Sequence, residues 1–221
     1  MSGPVTVVNN SVGKPNFTQR KNPDDPSTPW NETAETCNVT AGATAMAAAG
    51  WDLQKLNKGF HPRPSMDLLY FMRANPACQA LYDKVDAKHV YPMNEWMPVL
   101  ALAMREYAAS KEIWLVYGID RTVLHNNLWA GGTAVIHGEF TFTRADKSKV
   151  KSSHYQALIG YKCDLSGVFA WIVDDPWGDP TTEYTSQFGD DVVLSKEQVD
   201  KLIKPFGPAG KDAIIITKHD D

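Results

Sequence analysis

Several features that mark common protein classes are scarce or missing in this chain of 221 residues. Its three cysteines, Cys37, Cys78 and Cys163, are odd in number and far apart. That spacing argues against a disulfide framework, and no CxxC or HxxxH pairing offers a zinc site. Reduced thiols are the expected state. Long apolar runs are absent as well: "PVLALAM" and "AIII" are the longest and fall far short of a bilayer span. The N-terminal stretch "MSGPVTVVNNSVGKP" has no basic start followed by an apolar core, so no secretory signal is read there. Synthesis in the cytoplasm is expected. No basic cluster interleaved with aromatics occurs, and a formal net charge of −4 gives no reason to expect nucleic acid.

What remains is ordinary globular material, 43% hydrophobic and 22% charged, sufficient for one sizeable core. A single domain over residues 1–221 is expected, with 1–36 as an irregular arm, since "KNPDDPSTPW" carries three prolines. From Thr36 the pattern changes. Residues 37–49 are small and helix-friendly, and Gly50 is a natural stop. Helices are also expected over 65–74, behind Pro64, and over 93–109, where Trp96, Leu100, Ala103, Met104 and Tyr107 recur at helical spacing. After Lys111 the period shifts toward two. "EIWLVYG", "TAVIHGEFTFT", "SHYQALIGYKC", "GVFAWIVDD", "VVL" and "AIIIT" read as strands, with short helices at "RTVLHNNLWAGG" and 196–203. Helices first and strands second indicate an α+β class with an antiparallel sheet.

Within that frame Cys37 stands where the first helix begins. A helix N-terminus carries unpaired N–H groups and a partial positive charge that stabilise a thiolate. The plain alternative is a small buried hydrophobe. A base is needed next, and six histidines are available: His61, His89, His125, His137, His154 and His219. His154 differs from the rest. If the strands on either side of Leu165 fold as a hairpin, paired residues sum to about 330, which sets His154 across from residues 174–176. A carboxylate thereby meets an imidazole, the arrangement in which an acid orients a histidine that deprotonates a thiol. Register alone leaves Asp174 and Asp175 both open. "DDPWGDP" also has two other readings. One is a solvated turn, and the other a calcium loop through Asp174, Asp175 and Asp179, disfavoured because the twelve-residue EF-hand pattern is absent. No cofactor and no metal ligand are assigned.

Four segments, "TQRKN" (18–22), "TCNVTAGATAM" (36–46), "HYQALIGY" (154–161) and "VDDPWG" (173–178), together resemble a papain-fold group of cysteine peptidases. It is the group of bacteriocin leader peptidases and the "C-thirty-nine-like" peptidases of bacteria and phages. The order of the segments matches, and "GGTAVIHGEFTF" resembles the strand that precedes the histidine. The resemblance implies a papain-like fold, a helical part packed on an antiparallel sheet. It also implies Cys37 as nucleophile, His154 as general base and Asp175 as the orienting acid. Gln19 would donate to the oxyanion together with the Cys37 N–H, with Asn31, nearer the cysteine, as a second candidate donor. Ser153 stands where the group has glycine before its histidine.

On this reading the chain is a cysteine peptidase. With no membrane-spanning or nucleotide-binding segment in view, a peptidoglycan endopeptidase of endolysin type is expected rather than a transporter-linked leader peptidase. Its partner would be a stem peptide or cross-bridge, and its state a monomer. It would act on the wall after release, or in a host cytoplasm if phage-encoded. The alternatives are a non-catalytic papain-fold module binding peptide or wall, and a peptidase or deamidase toxin.

Overall fold

The computed structural model describes residues 4–22, 36–143, 147–202 and 212–220. After a strand β1 (Thr6–Asn9), the first half is helical: α1 (Cys37–Ala48), α2 (Leu53–Leu56), α3 (Pro64–Ala74), α4 (Pro76–Val85) and α5 (Met97–Ala108). The second half is β2 (Ile113–Val116), α6 (Arg121–Trp129), β3 (Thr133–Thr143), β4 (Lys149–Asp164), β5 (Gly167–Asp174), β6 (Val192–Ser195), α7 (Lys196–Leu202) and β7 (Ala213–Ile216). Every strand pairing is antiparallel, in the order β2-β7-β3-β4-β5-β6, with β1 added to β4. The class is α+β, as its sequence pattern indicates.

All twelve residues of α1 are buried, which a helix of Ala, Gly, Thr and Val tolerates because its small faces admit neighbours on every side. It packs on α3, α5 and the sheet, and Thr133 Oγ1 on β3 donates to Ala45 O at 2.7 Å. Gly50 takes a left-handed φ of +109° just past its end, the conformation that closes a helix most cheaply with glycine. The central part of the sheet is buried on both faces. Val135, Tyr155, Ala157 and Ile159 belong to the core shared with α1, α3 and α5, whereas Ala134, Ile136, Leu158 and Tyr161 belong to a second core under α6 and α7. This alternation follows the period of two and slips once, between Leu158 and Gly160, where the β4–β5 register is irregular.

Three readings are refined. Residues 1–36 were expected to be a mostly irregular arm, and among the described ones β1 is a strand: β3 covers the edge of β4 only as far as Leu158, and β1 pairs with Gly160–Cys163 beyond it. The unpaired N–H and C=O groups of that edge are thereby satisfied. The helix expected over 93–109 is a 3-10 turn (Met93–Glu95) followed by α5, because Pro98 is tolerated only in a first turn. Helix α4 was not anticipated, although Asn75 caps it by accepting from Ala77 N at 2.9 Å and Cys78 N at 3.2 Å, with Pro76 at its first position.

The arm reaches its place because Gly160 has no side chain. A Cβ there would stand 2.1 Å from Val8 O. We therefore expect Gly160→Ala to loosen β1 from β4 and destabilise the chain by about 1–3 kcal/mol, the usual range for overpacking. Urea unfolding would show it, together with faster proteolysis within 4–22; an unchanged midpoint would mean that β1 contributes little to stability.

Candidate active site

Strand β4 is exposed over residues 151–153 and becomes buried at His154, which pairs with Gly138 on β3. With glycine opposite, no cross-strand side chain competes for that position. Across the β4–β5 hairpin the register runs Asp164↔Gly167 to Ala157↔Asp174, so paired numbers sum to 331 or 332 rather than 330. His154 lies beyond the last pair, and the chain after β5 turns across it. His154 Nε2 meets Asp175 Oδ1 at 2.7 Å. The Cys37 sulfur lies close enough to act electrostatically on its imidazole. Because a carboxylate only accepts, Nε2 carries a proton, which leaves Nδ1 as the ring nitrogen open to another partner. Cys37, at the first position of α1, is 5% exposed and His154 is 3% exposed. Three residues from three distant parts of the chain thus form one buried cluster of sulfur, imidazole and carboxylate.

The carboxylate end is densely supplied. Asp175 Oδ1 also accepts from Trp177 N at 2.8 Å and Gly178 N at 3.3 Å, while Oδ2 accepts from Gln156 Nε2 at 2.5 Å and Tyr184 OH at 3.0 Å. Its own N–H donates to Gly189 O at 2.7 Å. Such donors are what allow an ionised carboxylate to stay buried. Burial alone would lower the pKa of His154; the Asp175 charge and the Cys37 sulfur outweigh it and raise the value to about 10. His137, whose strand partner is Tyr155, is pushed the other way, to about 4, by burial and by the charge of His154. It is neutral at physiological pH. Of the other histidines, His89 contacts Asp83, and His219 contacts Glu112 and stacks on Trp51.

The acidic stretch is divided among separate tasks. Asp175 faces His154, whereas Asp174 Oδ1 accepts from Asp191 N at 2.9 Å. Burial pushes Asp174 up to about 7, with the Asp191 N–H opposing and the charges of Asp190 and Asp191 adding to it. Asp179 caps the following turn, accepting from Thr181 N at 2.8 Å. Asp174, Asp175 and Asp179 therefore do not converge as the calcium-loop alternative required.

Gln19 is buried and bracketed on both sides. Its N–H donates to Pro176 O at 3.1 Å, beside Asp175, and its carbonyl accepts from Asn22 N at 2.8 Å. Asn22 Nδ2 in turn reaches Thr36 Oγ1 at 2.8 Å and Thr40 Oγ1 at 3.1 Å, at the start of α1. The arm is thus fastened to the carboxylate turn and to the cysteine helix at once. Arg20 strengthens the first attachment, donating to Trp177 O at 2.6 Å with its guanidinium 4.1 Å from the Trp177 ring centre. Asn31 lies outside the described residues.

Sequence reasoning missed Gln156 and Tyr184. Gln156 was accessible, since residue i+2 on a strand shares the face of His154. Tyr184 was not: it sits in the 175–191 loop with a left-handed φ of +64°, a placement that only the tertiary fold specifies.

No protein-family model and no curated protein matches the chain. Among solved structures, a crystal structure from Bacillus anthracis bearing the provisional title of a C39-like peptidase superimposes with a TM-score of 0.53 at 18% identity. The match covers 98% of this chain and 100% of that one. The chain shares with that structure a papain-like α+β fold.

Proposed function

We propose that the chain is a cysteine peptidase working through Cys37, His154 and Asp175. The observation that carries this reading is the buried imidazole held between a sulfur at a helix N-terminus and a fully hydrogen-bonded carboxylate. The Cys37 sulfur would attack the amide carbon, with His154 holding the proton and Asp175 holding the ring in one orientation. The amine would leave with that proton, giving a thioester. Water, deprotonated by His154, would then release the acid and restore the thiol. Gln19 and the Cys37 N–H are the proposed oxyanion donors; loss of such a donor typically costs about 100-fold or more in rate. The proposed substrate is a peptidoglycan stem peptide or cross-bridge, on the strength of the four motifs in family order.

Two experiments test this. Iodoacetamide should alkylate Cys37 well ahead of Cys78, whose thiol burial and the Glu106 charge push up to about 11. The purified chain should also clear a peptidoglycan suspension, releasing fragments whose masses identify one cleaved amide, and Cys37→Ala should abolish this. Equal sluggishness of all thiols would favour a binding module. A reactive Cys37 without wall cleavage would point to a protein substrate instead.

Asp175→Asn should lower kcat by about 100-fold or more, because the ring loses its orienting charge. The sign of the pH effect follows from the same contact. Asp175 raises the pKa of His154, so the alkaline limb of the rate profile, placed near pH 10 by His154, should move to lower pH in the variant. An unmoved limb would mean that another group sets it.

A further inference from the structure

Next to Asp175 along the chain, Asp174 joins Asp190 and Asp191, and each brings one carboxylate oxygen to within 4.8 Å of the others. Asp174 is 1% exposed. One of its oxygens takes the Asp191 N–H, but the other, Oδ2, is buried with no N–H or O–H donor of the protein; the Asp174 carboxyl instead meets the Asp190 carboxyl, a contact between two acids that needs a proton or a cation between them. No lysine, arginine or histidine pairs with any of the three among the described residues. A buried acceptor without a donor is costly, and like charges gathered around it add to that cost.

We propose that Asp174, Asp190 and Asp191 bind a hard divalent cation, calcium in preference to magnesium, which fastens the 175–191 loop to the end of β5. Oxygens sharing one calcium at 2.3–2.6 Å lie at most about 5 Å apart, the spacing these three already have. The arm prepares the two exposed ligands. Asn9 Nδ2 and Ser11 Oγ donate to Asp191 Oδ1 at 2.8 Å and 2.9 Å, and Asn16 Nδ2 donates to Asp190 Oδ1 at 3.3 Å. Asp190 also meets the Asp174 carboxyl, so these acids already share the space an ion would fill. Exposure of Asp190 and Asp191 gives the ion a path in and room for waters to complete its shell. Calcium accepts such an irregular mixture of ligands, whereas magnesium demands near-octahedral geometry at 2.0–2.1 Å. The site differs from the loop of Asp174, Asp175 and Asp179 considered from sequence, and it stands whether or not the chain is a peptidase. Its consequence for Asp175 runs through Gly189, whose carbonyl accepts the Asp175 N–H one residue before Asp190.

The test uses the full chain, stripped with chelator and titrated with calcium chloride by calorimetry and in thermal unfolding. One calcium per chain is expected, raising Tm by roughly 5 °C or more at a hundredfold excess over Kd. Magnesium chloride should raise it much less. Asp190→Asn and Asp191→Asn, both at exposed positions, should keep the far-ultraviolet dichroism and lose the calcium shift. Absence of binding heat and of any shift in the unsubstituted chain would overturn the proposal. So would a calcium shift that survives in the double variant, or a larger response to magnesium than to calcium.

Discussion

A carboxylate can remain ionised inside a protein only where donors replace the water it has lost, and Asp175 is surrounded by them. Two backbone N–H groups, one amide, one phenol and one imidazole converge on its two oxygens. The donors come from β4, from the turn just after β5 and from the loop that returns to β6. Holding this charge in place therefore means holding three segments of the chain in place. The rigid ring of His154, trapped between the carboxylate and Cys37, is the product of that constraint.

The rest of the fold can be understood as what brings these segments together. Helix α1 is composed largely of small residues, so it can lie buried on all sides and bring its first residue, Cys37, near His154 of β4. Strand β1 extends the edge of β4 beyond β3, and the segment after it runs between the carboxylate turn and the helix start, carrying Gln19. Glycines mark the places where backbones approach most closely. A side chain at Gly160 would strike β1, and one at Gly189 would meet Asp175 O at 2.0 Å.

Much of this was legible in the sequence, for particular reasons. The alanine-rich, small-residue run after Cys37, closed by Gly50, reads as a helix, and the alternating strands of the second half leave little choice of class. Hairpin arithmetic pointed His154 toward the 174–176 stretch, although the true sums are 331 or 332 and the contact is made by the turn after β5, beyond the last paired residues. It left the choice between Asp174 and Asp175 open, because irregularities near Gly160 and Cys163 shift the register by an amount that the sequence does not announce. Resemblance, rather than periodicity, had favoured Asp175, the residue that faces the histidine. Strand β1 was illegible because its reason for existing is an open edge on a strand about 150 residues away. Tyr184 was illegible for a similar reason, since its backbone conformation is set by the loop around it. Helix α4 is a different case: the Asn-Pro start was present and was passed over.

The central claim is electrostatic: an imidazole buried between a carboxylate and a sulfur keeps its proton far above the usual histidine range. Nuclear magnetic resonance of ring-labelled histidine follows that proton directly and needs no substrate. The account predicts that the His154 ring remains protonated through neutral pH and titrates near pH 10, while His137 stays neutral above about pH 4. A His154 ring that titrates near the ordinary value of 6.5 would contradict it.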